Sequence, residues 1–411
     1  MSNWTSRRPR MAVVAGVIVT GVVLAGCSEA SNDHASTVGG GNGSHTTSTP
    51  PTKLPAVPAT LTSSVAASAT GVPVDTLVTV TADHGTLTSV VVTSHDGTAV
   101  PGALNAAKTK WTASERLDPD THYTIHSTGV NSAGTVTRST RGFRTEPLTL
   151  DQQTYPSVTP LQGQVMGIGM PVIVTFDLPV TDRAEFERHM SVTSTPAQEG
   201  AWHWISSTEV HWRPKTYWQS GTKVHVDLAL NGLNAGNGIY GQMDRHLSFT
   251  IGRAVLVRVN VSTDYAHVYL DGKPARVIPV TGGKPDGFET RSGVKLISEK
   301  YLSKEMNSAT VGIDPNGPNG YDISNVQFAM RVTNSGEFLH AAPWSVYAQG
   351  HYNVSHGCVG MSTENAHWLY DEAEIGTPVE VTGSTRKLEP QNGWTDWDMS
   401  WSQWVAGSAL H

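Results

Sequence analysis

Cysteine is nearly absent from this chain of 411 residues, in which it occurs only at Cys27 and Cys358. The two residues lie in such different surroundings that we expect no disulfide between them, which excludes a fold held together by disulfides. Charged residues make up only 15% of the chain, and the formal net charge is -7. Because no basic cluster follows the extreme N-terminus, the composition argues against a nucleic-acid-binding protein.

Long apolar runs are also scarce, and the clearest one spans residues 11–26. Three arginines within the first ten residues precede it, as in the positive n-region and apolar h-region of a signal peptide. At about 1.5 Å per residue the run is short for a helix that spans a bilayer. It ends in Leu-Ala-Gly-Cys at 24–27, which resembles a bacterial lipobox and implies that Cys27 is acylated. We therefore expect residues 1–27 to be a signal peptide with a lipobox; an ordinary signal peptide with an incidental cysteine, or an uncleaved anchor, is the alternative.

Between 28 and 56 the sequence is rich in Gly, Ser, Thr and Pro and has nothing that could bury a core. Such a composition is typical of a flexible tether. Behind a lipid anchor, a tether would hold the folded part away from the membrane. The sequence thus predicts a protein anchored by lipid to the cell membrane, on its extracytoplasmic (periplasmic) face.

Short runs in which apolar and polar residues alternate dominate positions 57–252. Tyr123 and Ile125, for example, alternate with polar neighbours. A period of two with one apolar face predicts half-buried strands. Because two stretches of this segment resemble each other loosely, we predict two tandem immunoglobulin-like β-sandwich domains, at 57–147 and 148–252. A single larger β-domain is the alternative, and the scattered histidines of this half form no catalytic cluster.

Residues 253–384 have a different character, with strands, tight turns and one helix. Asp271-Gly272 is a strong hairpin signal between two strand-like runs. A helix is predicted to begin after the Ser-Thr pair at 362–363 and to stop at Gly376. We therefore predict a mainly β chain, whose third domain is β-rich with little helix.

The residues of the third domain that can carry chemistry gather around Cys358. A cysteine attacks as its thiolate, which is scarce near pH 7 because the free thiol has a pKa of about 8.5. An imidazole such as that of His340 can take the thiol proton and later return it to a leaving amine. Gly357 removes side-chain bulk beside the nucleophile, so that the N–H groups of Gly357 and Cys358 can face a developing oxyanion.

Two other interpretations of this cluster stay open. Cys358 and its neighbouring histidines could bind zinc, whose preferred ligands include Cys and His. The spacing matches no zinc pattern, however, and we expect His356 and Cys358 to point to opposite faces of a strand. Cys358 could also be an ordinary buried cysteine. We favour the catalytic interpretation and expect neither a metal nor a cofactor.

A specific motif is built from these residues: His340, then 14 intervening residues, then Ser-His-Gly-Cys at 355–358. It resembles the active-site signature of the L,D-transpeptidase (YkuD-type) family. The resemblance extends upstream to Asn-Gly-Tyr at 319–321 and into the tail at 385–411. Relatives with a membrane anchor and two immunoglobulin-like domains ahead of the catalytic one exist in mycobacteria, and the sequence most resembles their lipoprotein type.

The resemblance implies an L,D-transpeptidase that forms 3→3 cross-links between the stem peptides of peptidoglycan. Cys358 would attack the carbonyl of meso-diaminopimelate in a tetrapeptide stem and expel the terminal D-alanine. A side-chain amine of a second stem would then resolve the thioester. Carbapenem β-lactams would act as inhibitors by acylating the same thiol.

The same resemblance assigns roles to the other residues of the site. His340 would be the base that activates the thiol, and the backbone carbonyl of Ala341 would orient its imidazole. The hydroxyl of Tyr321 would join the backbone N–H groups at the oxyanion. The remaining residues that would shape the oxyanion and substrate pocket are Gly357, Ser355, His356 and Trp344.

Gly360 departs from the motif, whose last position is normally Asn. An Asn amide can hold a loop by hydrogen bonds, whereas glycine offers none and adds backbone freedom. We therefore expect a looser catalytic loop, with slower or differently selective acylation.

Tryptophan is concentrated in the tail at 385–411. Such dense tryptophan is rarely left in water, so we predict that the tail packs back on earlier domains. A surface for glycan or membrane is the alternative.

Two other functions compete with the transpeptidase. A sortase-like enzyme also uses a histidine upstream of a cysteine, but the Thr-Leu-x-Thr-Cys strand and downstream arginine that it needs are missing around Cys358. A non-catalytic or weakly active wall-binding protein is favoured only by Gly360, and the presence of both His340 and Cys358 speaks against it.

Overall fold

The structure is a computed structural model that describes residues 57–410. The predicted signal peptide with Cys27, and the predicted tether at 28–56, lie outside the described residues. Residues 57–410 belong to one compact unit. Within residues 57–410, no helix is long and apolar enough to cross a membrane.

The first β-sandwich packs a four-stranded sheet of order β1-β3-β7-β6 against a five-stranded sheet of order β2-β9-β8-β4-β5. Its core holds Trp111, Leu117, Tyr123 and Phe143, so the alternation that predicted strands also predicted their buried face. The strands are β1 (Thr60–Ser63), β2 (Ala69–Val72), β3 (Thr79–Asp83), β4 (Thr86–Ser94), β5 (Ala99–Val100), β6 (Gly102–Leu104), β7 (Lys110–Ala113), β8 (His122–Val130) and β9 (Val136–Thr145).

The second β-sandwich has two four-stranded sheets, β11-β13-β16-β15 and β12-β20-β17-β14, and a small sheet β10-β19-β18. Its core includes Trp202, Trp204, Trp212 and Trp218. The elements are β10 (Gln153–Thr154), β11 (Pro156–Thr159), β12 (Val165–Met166), β13 (Val172–Phe176), α1 (Arg183–Arg188), β14 (Met190–Thr195), β15 (Gly200–Trp204), β16 (Glu209–Pro214), β17 (Lys223–Leu228), β18 (Asn234–Gly236), β19 (Ile239–Gly241) and β20 (Arg245–Ile251). The chain is thus mainly β, with two immunoglobulin-like sandwiches in tandem.

The third part contains two sheets, β23-β22-β21-β29-β24 and β25-β26-β27-β28, with helix α2 packed against the second. β27 and β28 run parallel, and all other pairs in that sheet are antiparallel. The elements are β21 (Val255–Asn260), β22 (Tyr265–Leu270), β23 (Lys273–Pro279), β24 (Gly293–Leu296), β25 (Glu299–Asn307), β26 (Asp322–Arg331), β27 (Phe338–Ala341), β28 (Val359–Met361), α2 (Thr363–Glu372) and β29 (Pro378–Thr382).

Local sequence explains the ends of α2. Ser362 is the N-cap, and its hydroxyl accepts a hydrogen bond from the backbone N–H of Asn365, which satisfies one of the free donors of the first turn. Ala366 and Leu369 form its buried face. The helix ends ahead of Gly376, where the sequence predicted the stop, and the chain then enters β29.

The tail packs on the second sandwich, as predicted. The side chain of Trp404 is fully buried, its indole N–H donates to the carbonyl of Ala201 at 2.9 Å, and its ring stacks on His203. The guanidinium of Arg213, itself buried, lies over the rings of Trp397, Trp401 and Trp404. The helix α3 (Trp401–Val405) belongs to this contact. Tryptophans of the tail therefore form the contact between the tail and the second sandwich.

Candidate active site

The parallel pair β27 and β28 brings the motif residues together. His340 on β27 is in register with Gly360 on β28, and Cys358 lies directly before β28. The turn that precedes Cys358 is closed by Ser355, whose hydroxyl donates to the carbonyl of Cys358 at 2.7 Å and accepts from the N–H of Gly357 at 3.1 Å. Gly357 has a φ of 124°, which favours glycine because a Cβ would strain the backbone.

These residues open onto one cavity of about 260 Å³. It contains most of the predicted site, and it also contains residues that the sequence did not single out. Its walls are formed by Thr281, Met306, Tyr321, Ile323, His340, Ala342, Trp344, Ser345, Tyr347, Val354, Ser355, His356, Cys358 and Gly360. The cavity is therefore shared between the nucleophile turn, the end of β27 and the β25–β26 hairpin.

His340 is buried, and its Nδ1 lies 2.7 Å from the carbonyl oxygen of Ala341. A carbonyl oxygen can only accept, so Nδ1 carries the hydrogen and Nε2 has the free lone pair. Burial lowers the pKa of His340, and the hydrogen bond to Ala341 opposes that shift. The ring also stacks on Trp344, with centroids 5.8 Å apart. The imidazole is thus held neutral and oriented, as a general base requires.

The thiol of Cys358 lies 3.6 Å from the carbonyl oxygen of Gly336. Burial raises the pKa of the thiol to about 12, which the hydrogen bond to the backbone at Phe338 opposes. The contact with Gly336 engages the thiol proton, so the structure describes the resting, protonated state. Attack requires the thiol to give up this contact and to pass its proton to a base, and His340 lines the same cavity.

Tyr321 lines the cavity and lies directly before β26. Its ring lies 5.0 Å from that of His356. Burial, with the neighbouring Cys358, raises the pKa of Tyr321 to about 12. The phenol therefore stays protonated near neutral pH and can donate a hydrogen bond to an oxyanion.

One of the hydrogen-bond donors predicted for the oxyanion, the N–H of Gly357, already has a partner in the structure. The N–H of Gly357 is already bonded to the hydroxyl of Ser355, whereas the sequence predicted it to face the oxyanion. Serine hydroxyls often accept a hydrogen bond from the backbone N–H two residues further along a turn, and this is the contact made here. An oxyanion would have to share the N–H of Gly357 with Ser355.

The expectation that His356 and Cys358 point to opposite faces is wrong, because both line the cavity. The segment is a turn, and even in a strand residues two apart share a face. Nε2 of His356 is buried without a hydrogen-bond partner among the described residues. Burial, and then the charge of Lys284, lower the pKa of His356. Within residues 57–410, no group of His, Cys, Asp and Glu is arranged to hold a metal ion.

The structure leaves little room for a side chain at Gly360. Its N–H and carbonyl both bond to Thr281, each at 2.9 Å. A Cβ at this position would lie 2.9 Å from the Cβ of Ala342 and 3.3 Å from Cγ2 of Thr281. Strand pairing therefore holds the backbone of Gly360 on both sides, and the looser catalytic loop stays a prediction.

Sequence reasoning missed Thr281 and Thr290. Thr281 bridges to Gly360, and the hydroxyl of Thr290 donates to the carbonyl of Gly357 at 2.8 Å while accepting from the N–H of Gly283 at 2.9 Å. These residues brace the nucleophile turn from a loop distant in sequence. A Thr-Gly-Gly after a strand was visible at 281–283, but nothing in it indicated which segment it would meet.

Comparison with known proteins gives two family matches. The L,D-transpeptidase catalytic domain matches residues 254–381, and the bacterial Ig domain matches residues 69–234. The first contains the whole cavity described above. The second extends over both sandwiches.

Solved structures resemble the chain over part of its length. The structure of the L,D-transpeptidase LdtMt1 in complex with imipenem is 35% identical, covers 56% of this chain and 99% of that chain, and has a TM-score of 0.49. The crystal structure of L,D-transpeptidase 3 from Mycobacterium tuberculosis is 33% identical, covers 55% of this chain and 97% of that chain, and has a TM-score of 0.46.

Two curated relatives extend over most of the chain. L,D-transpeptidase 5 of Mycobacterium tuberculosis (strain ATCC 25618 / H37Rv) is 37% identical over 81% of this chain and 73% of its own length. L,D-transpeptidase 2 of Mycobacterium tuberculosis (strain CDC 1551 / Oshkosh) is 37% identical over 85% of this chain and 85% of its own length. With this identity over more than two thirds of this chain and of both relatives, and with its cysteine and histidine on one cavity, the chain belongs to the L,D-transpeptidase family.

Proposed function

We propose that this enzyme forms 3→3 cross-links in peptidoglycan through a thioester between Cys358 and the meso-diaminopimelate of a tetrapeptide stem. The observation that carries the proposal is the pairing of His340 and Cys358 on one cavity, with Nδ1 of His340 fixed by Ala341. This leaves Nε2 of His340 to take a proton from the thiol.

The first half of the reaction forms the acyl-enzyme. The thiol of Cys358 leaves the carbonyl of Gly336 and gives its proton to Nε2 of His340, and the thiolate bonds to the carbonyl carbon of the donor stem. The oxyanion that forms is stabilised by the phenol of Tyr321 and by the N–H of Cys358. Collapse of this intermediate breaks the C–N bond to D-alanine, whose amine takes the proton from His340.

The second half transfers the acyl group. The side-chain amine of a second stem attacks the thioester and loses a proton to His340. The new amide bond forms as the C–S bond breaks, and His340 returns the proton to the sulfur of Cys358. Atoms balance with one D-alanine released for each cross-link, and no cofactor is required.

Carbapenems fit the same chemistry. The β-lactam carbonyl offers an acyl group whose leaving amine stays attached to the ring-opened product, so Cys358 would be left acylated. The relative LdtMt1 has been solved in complex with imipenem. We expect a stable adduct on Cys358 of this chain.

The proposed location of the enzyme rests on the sequence alone. The apolar run at 11–26 and the lipobox-like tetrapeptide ending at Cys27 support a lipoprotein that is anchored to the membrane on its periplasmic face. Metabolic labelling with an alkyne-tagged palmitate tests this, since the label should be lost from Cys27→Ala and kept in Cys358→Ala. Equal labelling of Cys27→Ala would contradict the anchor.

Mass spectrometry of purified disaccharide-tetrapeptide incubated with the form that lacks residues 1–27 tests the activity. The expected product is a cross-linked dimer that has lost one D-alanine, absent with Cys358→Ala. Tripeptide alone would make the enzyme a carboxypeptidase. Neither product, together with no carbapenem adduct, would favour the non-catalytic wall-binding alternative.

A further inference from the structure

Three charged side chains are buried together behind the nucleophile turn. Glu337 lies just before β27 and is 3% exposed, while Lys295 on β24 is fully buried. The ammonium of Lys295 contacts Oε2 of Glu337. Oε1 of the same carboxylate accepts from the backbone N–H and from Nη1 of Arg291, each at 3.0 Å. We call Arg291, Lys295 and Glu337 the charged platform.

The charged platform touches the nucleophile turn from two sides. Glu337 directly follows Gly336, whose carbonyl accepts the thiol of Cys358. A Cβ built on Gly357 would lie 3.4 Å from Cγ and 3.5 Å from Oε1 of Glu337. The carboxylate of Glu337 therefore packs against the backbone of the residue that precedes the nucleophile, and it also anchors the turn that holds the thiol.

Stability alone gives no reason for such a cluster. Removing charges from water is costly, and well-packed apolar residues of similar volume are often as stable as a buried ion pair. The ions here also do not cancel within the platform, because two cations face one carboxylate. The second carboxylate that Arg291 contacts, Glu389, lies on the outer side with its side chain 52% exposed. A fully buried ammonium and a buried carboxylate thus both act on a sulfur that has to become an anion.

We propose that Lys295, Glu337 and Arg291 are positioning residues that hold the nucleophile turn of Cys358 and set how readily its thiol ionises. Lys295 stabilises the thiolate, and Glu337 opposes it while keeping Lys295 and Arg291 in place. The proposal rests on the proposed function only in taking Cys358 as the nucleophile.

The charges that act on the thiol agree in sign with these roles. After burial, the main influences on the pKa of Cys358 are the backbone at Phe338, which lowers it, Glu337, which raises it, and Lys295 and Arg331, which lower it. Burial lowers the pKa of Lys295, and Glu337 is the main group that opposes this. Titratable groups also face the thiol across the cavity, namely His340, His356 and Tyr321.

Alkylation of Cys358 by iodoacetamide measures thiol ionisation without any transpeptidase substrate. Well below the pKa the rate is proportional to the thiolate fraction, so a pKa change of one unit gives about a tenfold change in rate at fixed pH. With the form lacking residues 1–27, between pH 7 and 8.5, we expect Lys295→Met to slow alkylation and Glu337→Gln to speed it, each by roughly tenfold. The double variant should return toward the parental rate.

The controls separate charge from packing. Lys295→Arg should keep a rate close to the parental one. Lys300→Met is the matched control, because Lys300 is a half-buried lysine of the same domain that donates to the carbonyl of Ala373. Circular dichroism verifies the fold of each variant. Changes of the same sign for Lys295→Met and Glu337→Gln, or no change in either folded variant, would overturn the proposal. If the alkylation rates were as expected but the parental enzyme formed no cross-linked dimer, the result would instead count against the proposed function.

Discussion

The thiol of Cys358 and the carbonyl oxygen of Gly336 lie 3.6 Å apart, and this contact holds the nucleophile as a neutral donor. A carbonyl oxygen accepts the proton of a thiol but repels a thiolate, so ionisation itself favours rotation of the sulfur away from Gly336. His340, on the same cavity, offers Nε2 as the new partner. Activation therefore requires the thiol to give up its contact with Gly336, and the protonated thiol is the resting form.

The pH dependence of acylation should follow His340. Burial lowers the pKa of this imidazole, so the base stays unprotonated to a lower pH than a free histidine, whose pKa is about 6.5. We expect the acid limb of kcat/KM for carbapenem acylation to have its midpoint below pH 6.5, as followed by the loss of β-lactam absorbance. Ala341 contributes only a backbone carbonyl, so Ala341→Ser should leave the midpoint unchanged. A midpoint above 7 would contradict the assignment of His340 as a base buried in its neutral form.

Substitution of Gly357 tests the turn. Its φ of 124° would cost an alanine about 1–2 kcal/mol of backbone strain, while the new Cβ would only come into van der Waals contact with Glu337. We expect Gly357→Ala to lower the acylation rate by at least tenfold with a smaller loss in melting temperature. Gly272→Ala is the matched control, since Gly272 also has a positive φ but has open space around it. Equal acylation rates in the two variants would show that the turn geometry does not matter.

The sequence predicted the parts of this site that are local. The motif at 355–358, the N-cap at Ser362 and the hairpin turn at Asp271-Gly272 each depend on residues a few positions apart. Contacts between residues that are distant in sequence could not be predicted, because only folding brings them together. Lys295 and Glu337 are 42 positions apart, and the bond from Ser355 to the N–H of Gly357 depends on a turn where a strand was expected. For that reason the sequence did not reveal that the N–H of Gly357 already donates to Ser355, and its role at the oxyanion stays a prediction.

The buried pair between His211 and Asp396 predicts how pH affects the packing of the tail. Nδ1 of His211 lies 2.6 Å from Oδ1 of Asp396, and its Nε2 lies 2.9 Å from Glu209. Burial alone would lower the pKa of His211, but these carboxylates outweigh it and raise the pKa to about 9. The folded pKa exceeds the unfolded value of about 6.5, so this stabilisation is complete below pH 6.5 and is lost as pH rises through 9.

We therefore expect the melting temperature to fall between pH 7 and 10, with a loss of about 2–3 kcal/mol in the free energy of unfolding. His211→Gln should flatten this dependence and lower stability at pH 7. His225→Gln is the control, because His225 is an exposed histidine of the same sandwich that bonds only to Ser248. If His211→Gln kept the full pH dependence, another group would have to be responsible.

Gly360→Asn restores the residue that the motif normally has, and the structure predicts that it is harmful here. A Cβ at this position would lie 2.9 Å from the Cβ of Ala342, and overpacking of this kind typically costs about 1–3 kcal/mol. We expect Gly360→Asn to lower the melting temperature and to slow acylation, because strand pairing between β27 and β28 places His340 opposite Gly360. Adding Ala342→Gly removes the atom that clashes and should recover most of both losses. Faster acylation by Gly360→Asn alone would mean that the missing amide, and not the space around it, limits this enzyme.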